Sequence, residues 1–135
     1  MPLINPDHPL ASWFLLVVTV VFSALYALPL LFMPLRWARW FRWKLPEGNP
    51  ELTVYFGRCL GGLALALIVT VLRAVPDPKA HLAFFDLTYL VCGTMTVIHL
   101  WGAVERSQPW PEHVEILTYG AAAGFAAWLR FSVLA

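Results

Sequence analysis

The chain has 135 residues, of which 60% are hydrophobic and 13% charged, with a formal net charge of +1. Soluble domains average about 45–50% apolar and about 25% charged, so this balance is that of a membrane protein. It excludes a basic field for nucleic acid, and the length favours a single domain.

Four apolar segments, 10–32, 52–72, 82–102 and 114–134, each approach the roughly 20 residues that a helix needs to cross about 30 Å of hydrocarbon. Lipid offers no partner to backbone N–H and C=O groups, so each segment is expected to be helical. The predicted fold class is all-α: an integral membrane four-helix bundle with a short interfacial amphipathic helix after the first span. The flank before the first span holds Asp7 and no Lys or Arg, which predicts a retained span rather than a cleaved signal. Pro29 should kink that span or loosen its last turn.

The segment after it, RWARWFRWK at 36–44, alternates arginine and tryptophan. On a helix Trp37, Ala38, Trp40, Phe41 and Leu45 share one arc and Arg36, Arg39 and Arg42 the other, with Trp43 and Lys44 as exceptions. Arg36, Trp37, Arg39, Trp40, Arg42, Trp43 and Lys44 are therefore expected to anchor a short helix at the membrane interface, indoles at headgroup depth and cations on lipid phosphates. Pro46 ends this segment. Asn49, Pro50 and Glu51 supply a cap, a first-turn proline and a dipole-favoured acid for the second span. Pro76 and Pro78 break the second loop, and the stretch 108–112 starts the fourth helix. Lys and Arg concentrate in the first loop, with Arg106 in the third. The positive-inside rule then makes these loops cytoplasmic and turns both termini outward, into the periplasm if the membrane is a bacterial inner membrane.

Ionisable residues within spans carry the functional question, because burying them is costly unless they meet partners or water. Arg58, Asp86, His99, Glu115 and Arg130 are the candidate polar or ligand-site residues. By depth they form two layers: Arg58, His99 and Glu115 toward the inner end, Asp86 and Arg130 toward the outer. Glu115, Tyr119, Ala122, Ala126 and Arg130 share a helix face expected to point inward. Asp86 and His99 lie roughly 140° apart, giving the third span two polar faces. The layers serve either as structural ion pairs, Arg58 with Glu115 and Asp86 with Arg130, or as a proton relay or substrate site using His99. Gly57 with Gly61 and Gly120 with Gly124 form small-residue faces for close helix packing.

No catalytic set is visible, and no metal site is expected. Cys59 and Cys92 are isolated, and the four histidines lack paired-ligand spacing. No cofactor is expected; a bound lipid or quinone is allowed.

Arg58-Cys59-Leu60-Gly61, Arg73, Asp77, Leu87-Thr88, His99 and Glu105 together resemble the pattern of the ergosterol-biosynthesis scaffold family. That resemblance implies a four-span protein that tethers membrane enzymes without catalysing a reaction. The run Arg-Cys-Leu-Gly-Gly-Leu-Ala-Leu-Ala-Leu from Arg58 is similar to the DoxX-like four-helix group, which includes subunits of quinone-linked oxidoreductases. The expected function is a scaffold, assembly factor or accessory subunit, with the bilayer, other membrane proteins or further copies of itself as partners and no nucleic acid. A proton-coupled transporter or channel, and a lipid-, sterol- or quinone-binding protein, are the alternatives.

Overall fold

The computed structural model describes residues 2–134 and is all-helical among them. Five helices follow one another: α1 (Pro9–Phe32), α2 (Pro34–Trp40), α3 (Glu51–Leu72), α4 (Ala83–Glu105) and α5 (Pro111–Ser132), with a 3₁₀ turn at Lys79–His81. Three of them, α1, α3 and α4, are long and apolar enough to cross a membrane. Their exposed positions are occupied by large apolar side chains, among them Trp13, Val20, Leu52, Phe56, Val97 and Trp101. Side chains of this kind are stable outward only against lipid or protein. α5 matches them in length, at 22 residues, but carries Glu112, Glu115 and Arg130.

The helices pair as α1 with α3 and α4 with α5. At the end nearest the N-terminus the two pairs close on a common core of Ala11, Leu15, Ala74, Val75, Phe85, Leu129 and Val133. Phe14 stacks on Phe85 and meets Phe125 edge-on there. Polar groups tie the same end: buried Ser12 donates its hydroxyl to the Val75 carbonyl at 2.7 Å, and the Asn5 amide donates to the Pro76 carbonyl at 3.0 Å. Pro76 and Pro78 keep that loop out of helix, so these carbonyls remain free to accept.

α1 holds one irregular turn. A π-turn occupies Ser23–Ala27, just before Pro29. Proline has no N–H for the carbonyl four residues back, which is Leu25, and the Trp37 indole donates to that carbonyl at 2.9 Å. The loosening expected from Pro29 is present; the chain itself turns at Met33, φ −141° and ψ 55°, just before Pro34, and α2 lies back against α1. α2 is short, ending at Trp40 before Phe41, and stops in a Schellman arrangement: Trp43 N–H donates to the Ala38 carbonyl and Arg42 N–H to that of Arg39. Arg42 takes the left-handed position, φ 62°, where glycine is usual. α4 ends in the same way at Arg106, φ 54°. α3 begins at Glu51, with Pro50 rather than Asn49 at the cap position; Asn49 lies one residue earlier, and its side chain accepts from the Glu51 N–H at 3.1 Å.

The two small-residue faces differ. A Cβ on Gly61 would lie 2.5 Å from the Leu31 amide nitrogen, and one on Gly57 would lie 2.6 Å from the Pro34 ring, so this face lets α3 approach the backbone of α1 and the start of α2. Gly120 is in ordinary contact with Thr96, and Gly124 faces open space. Overpacking a tight helix contact costs about 1–3 kcal/mol, whereas alanine is worth up to about 1 kcal/mol over glycine in an open helical position. Thermal unfolding in detergent is therefore expected to show Gly61→Ala clearly destabilised and Gly124→Ala unchanged or slightly more stable; the reverse order would contradict this packing.

Candidate functional site

At the end opposite the closed core, His99, Glu112 and Glu115 meet, and all three are buried, at 6%, 4% and 6% exposure. His99 stands near the C-terminal end of α4. Glu112 and Glu115, three residues apart, project from one face of the first turns of α5. Glu115 Oε2 lies 3.1 Å from His99 Nε2, and Glu112 Oε2 lies 3.7 Å from His99 Nδ1. The imidazole thus stands between two carboxylates, one facing each ring nitrogen.

The other oxygen of each carboxylate is held by a donor from a distant part of the chain. The Tyr26 phenol, from the π-turn of α1, donates to Glu115 Oε1 at 2.7 Å. The Trp43 indole, turned inward by the left-handed Arg42, donates to Glu112 Oε1 at 2.8 Å. Tyr119 packs on the imidazole with ring centres 5.3 Å apart. Gln108, in the α4–α5 loop, donates its amide to the His99 carbonyl at 2.8 Å, and Gly102 leaves the space its side chain crosses. The network therefore joins α1, the turn after α2, α4 and α5 through one imidazole.

A cavity of about 640 Å³ adjoins this cluster and is lined by both the α1–α3 pair and the α4–α5 pair. Leu30, Leu63, Ala64, Leu67, Val91 and Met95 supply its apolar walls. Phe22, Tyr26, Trp37, Trp43 and Tyr119 supply aromatic rings near its polar end. Leu63 is 61% exposed and Val91 44%, so the cavity opens sideways between α3 and α4, toward the surface that carries the large apolar side chains.

The candidate residues fall as follows. His99 and Glu115, expected in one layer, are in contact. Asp86 and Arg130, expected in the other, form an ion pair at 2.8 Å on the flank of the α4–α5 hairpin, both side chains partly exposed. Arg58 does not join Glu115. It is exposed on α3 beside Asn49, Tyr55 and Cys59 and forms no ion pair among the described residues. The reason is helical phase: Gly57, Gly61, Ala64 and Ile68 form the face turned to α1, and Arg58 lies one residue off it. Within the arginine-tryptophan segment Arg36, Arg39, Arg42 and Lys44 are exposed, and Trp40 is 62% exposed. Trp37 and Trp43 instead spend their N–H groups on Leu25 and Glu112, and Arg42 lies over the Trp110 ring.

The sequence reading missed Glu112, Tyr26, Trp43 and Gln108 as site residues. The spacing of Glu112 and Glu115 was the available signal, since residues three apart share a helix face; the other three arrive through tertiary folding. His99, Glu112 and Glu115 are also the described residues that could hold a metal ion, each offering a ligand atom within 4.8 Å of the others. In the present arrangement the ring bridges the two carboxylates, so the three donors do not yet point at one centre. No protein family, characterised protein or solved structure matches the chain.

Removing one member of a buried charged network leaves the others uncompensated, which costs about 3–5 kcal/mol. His99→Ala is expected to lose stability on that scale in detergent, and Glu115→Gln added to it should recover part of the loss. A double variant no more stable than His99→Ala alone would show that the two groups are not coupled.

Proposed function

We propose that the protein is a four-span integral membrane protein that takes an amphiphilic small molecule from the bilayer, its apolar body in the cavity and its polar head at His99, Glu112 and Glu115. The observation that carries this reading is one cavity of about 640 Å³, within the roughly 300–1,000 Å³ usual for small-molecule sites, apolar along its walls and ending on three buried titratable groups. Its sideways mouth suits a ligand arriving from lipid. The inward direction of Glu112 and Glu115 and the pairing of Arg130 with Asp86 reduce the cost of placing α5 in hydrocarbon, which supports it as the fourth span. The basic loops at the polar end support a cytoplasmic location for that end and outward termini, as in a bacterial inner membrane.

Native mass spectrometry of the protein extracted in mild detergent is expected to find one co-purified amphiphile per chain. Leu63→Trp and Val91→Trp, which put bulk into the mouth at exposed positions, should abolish its retention without unfolding the protein. Retention unchanged in both variants would contradict the reading.

A second reading, a scaffold or accessory subunit, is favoured by one observation: Arg58 stands exposed within an apolar helix, with Tyr55 and Cys59 beside it. A guanidinium at that position is best accommodated by a protein neighbour or by reaching for headgroups. If a partner binds there, Arg58→Leu should remove a stoichiometric partner recovered in mild detergent while leaving the fold and the cavity ligand in place. Recovery of the partner by that variant at the wild-type level would exclude this surface.

A further inference from the structure

The apolar walls describe the body of a ligand, and the hydrogen-bond inventory of the polar end describes its head. Glu112 and Glu115 contribute four carboxylate oxygens with roughly eight acceptor positions between them. Tyr26 and Trp43 occupy one position each on the Oε1 atoms, and the two nitrogens of His99 face the Oε2 atoms. With the Tyr119 hydroxyl also beside Glu115, roughly three of these acceptor positions are left over, whereas the Tyr26 phenol, the Trp43 indole and the imidazole are already directed at the carboxylates. Among the described residues no Lys or Arg lies within 4.0 Å of either carboxylate. Lys44 lines the cavity but is exposed, and the Tyr119 ring covers the imidazole.

The cluster is also short of positive charge. With both carboxylates ionised the cluster carries a formal charge of −2 beside a neutral imidazole and −1 beside an imidazolium. A quinone, ketone or ester head would bring further acceptors to a site already rich in them. A fatty acid or phosphate head would bring more negative charge into a desolvated space. A protonated amine brings donors and a compensating charge together. The rings of Phe22, Tyr26, Trp37, Trp43 and Tyr119 along the same end of the cavity present the faces to which organic cations are attracted.

We infer that the cavity takes a lipophilic amine, with its protonated nitrogen on the free acceptor positions of Glu112 and Glu115 and its apolar body between α3 and α4. This rests on the cavity being a ligand site, and it narrows the class of ligand.

The test uses three probes with one chain and different heads: dodecylamine, dodecanol and dodecanoate, titrated at neutral pH into the full chain in a maltoside detergent and followed by native mass spectrometry. Dodecylamine is expected to bind one per chain and to be lost in Leu63→Trp. The other two should bind more weakly by on the order of tenfold or more, the worth of a charge-assisted hydrogen bond. Glu112→Gln and Glu115→Gln, singly and together, should remove the preference for the amine and leave dodecanol binding intact. The wild-type comparison needs no variant and stands even if a glutamine variant fails to fold. If dodecanol or dodecanoate binds as tightly as the amine and is also blocked by Leu63→Trp, the amine inference is overturned and the cavity reading survives. If no probe responds to Leu63→Trp, the cavity reading itself falls. If zinc chloride binds one ion per chain and displaces the amine, the three groups form a metal site and the amine inference is overturned.

Discussion

Two carboxylates and an imidazole withdrawn from water in an apolar helical bundle impose the constraint on which the rest of this structure depends. Each carboxylate must be held by donors, since burying an unsatisfied charged group costs more than any single apolar contact can return. The donors come from α1, from the turn after α2 and from α4. Satisfying Glu112 and Glu115 therefore fixes how the α1–α3 pair faces the α4–α5 pair at this end. At the other end apolar side chains and two backbone-directed hydrogen bonds close the bundle. The space left between the two closures is the cavity.

The arginine-tryptophan stretch is explained by the same constraint together with a backbone one. Pro29 cannot supply an N–H to Leu25, and Trp37 supplies one instead. The chain turns at Met33 before Pro34, and the Trp37 bond holds α2 back along α1 with the next turn toward α5. Arg42, in a left-handed conformation that costs a non-glycine residue about 1–2 kcal/mol, then directs Trp43 to Glu112. Of three tryptophans at equal spacing, two complete internal hydrogen bonds, and Trp40 is the most exposed of the three, at 62%. The arginines alternate with them and stay exposed, so one segment combines a basic surface with the inner wall of the cavity.

The two polar faces of α4 are both met by α5, despite their separation around the helix. His99 lies in the interior between the pairs, while Asp86 is reached on the flank by the long Arg130 side chain. The His99 face is buried, whereas the Asp86 face stays partly exposed. The exposed guanidinium of Arg58 and the open backbone at Gly124 are among the features of the surface that internal packing does not account for.

Periodicity and composition were enough to place the helices, the loosened turn before Pro29 and the inward face of α5 that carries Glu115 and Ala126, because each depends on residues within a few positions of one another. The common depth of His99 and Glu115 and the pairing of Asp86 with Arg130 were legible for a related reason: a rise of 1.5 Å per residue sets the depth of every side chain along a helix, and opposite charges at one depth seek each other. Depth alone could not say which way a helix is rotated. For that reason Arg58, at a suitable height but turned off the α1 contact, was misplaced beside Glu115. Tyr26, Trp43 and Gln108 entered the site only through a π-turn, a left-handed arginine and a loop amide that reaches a backbone carbonyl. These features depend on which chain segment ends up opposite which, and only the assembled bundle decides that.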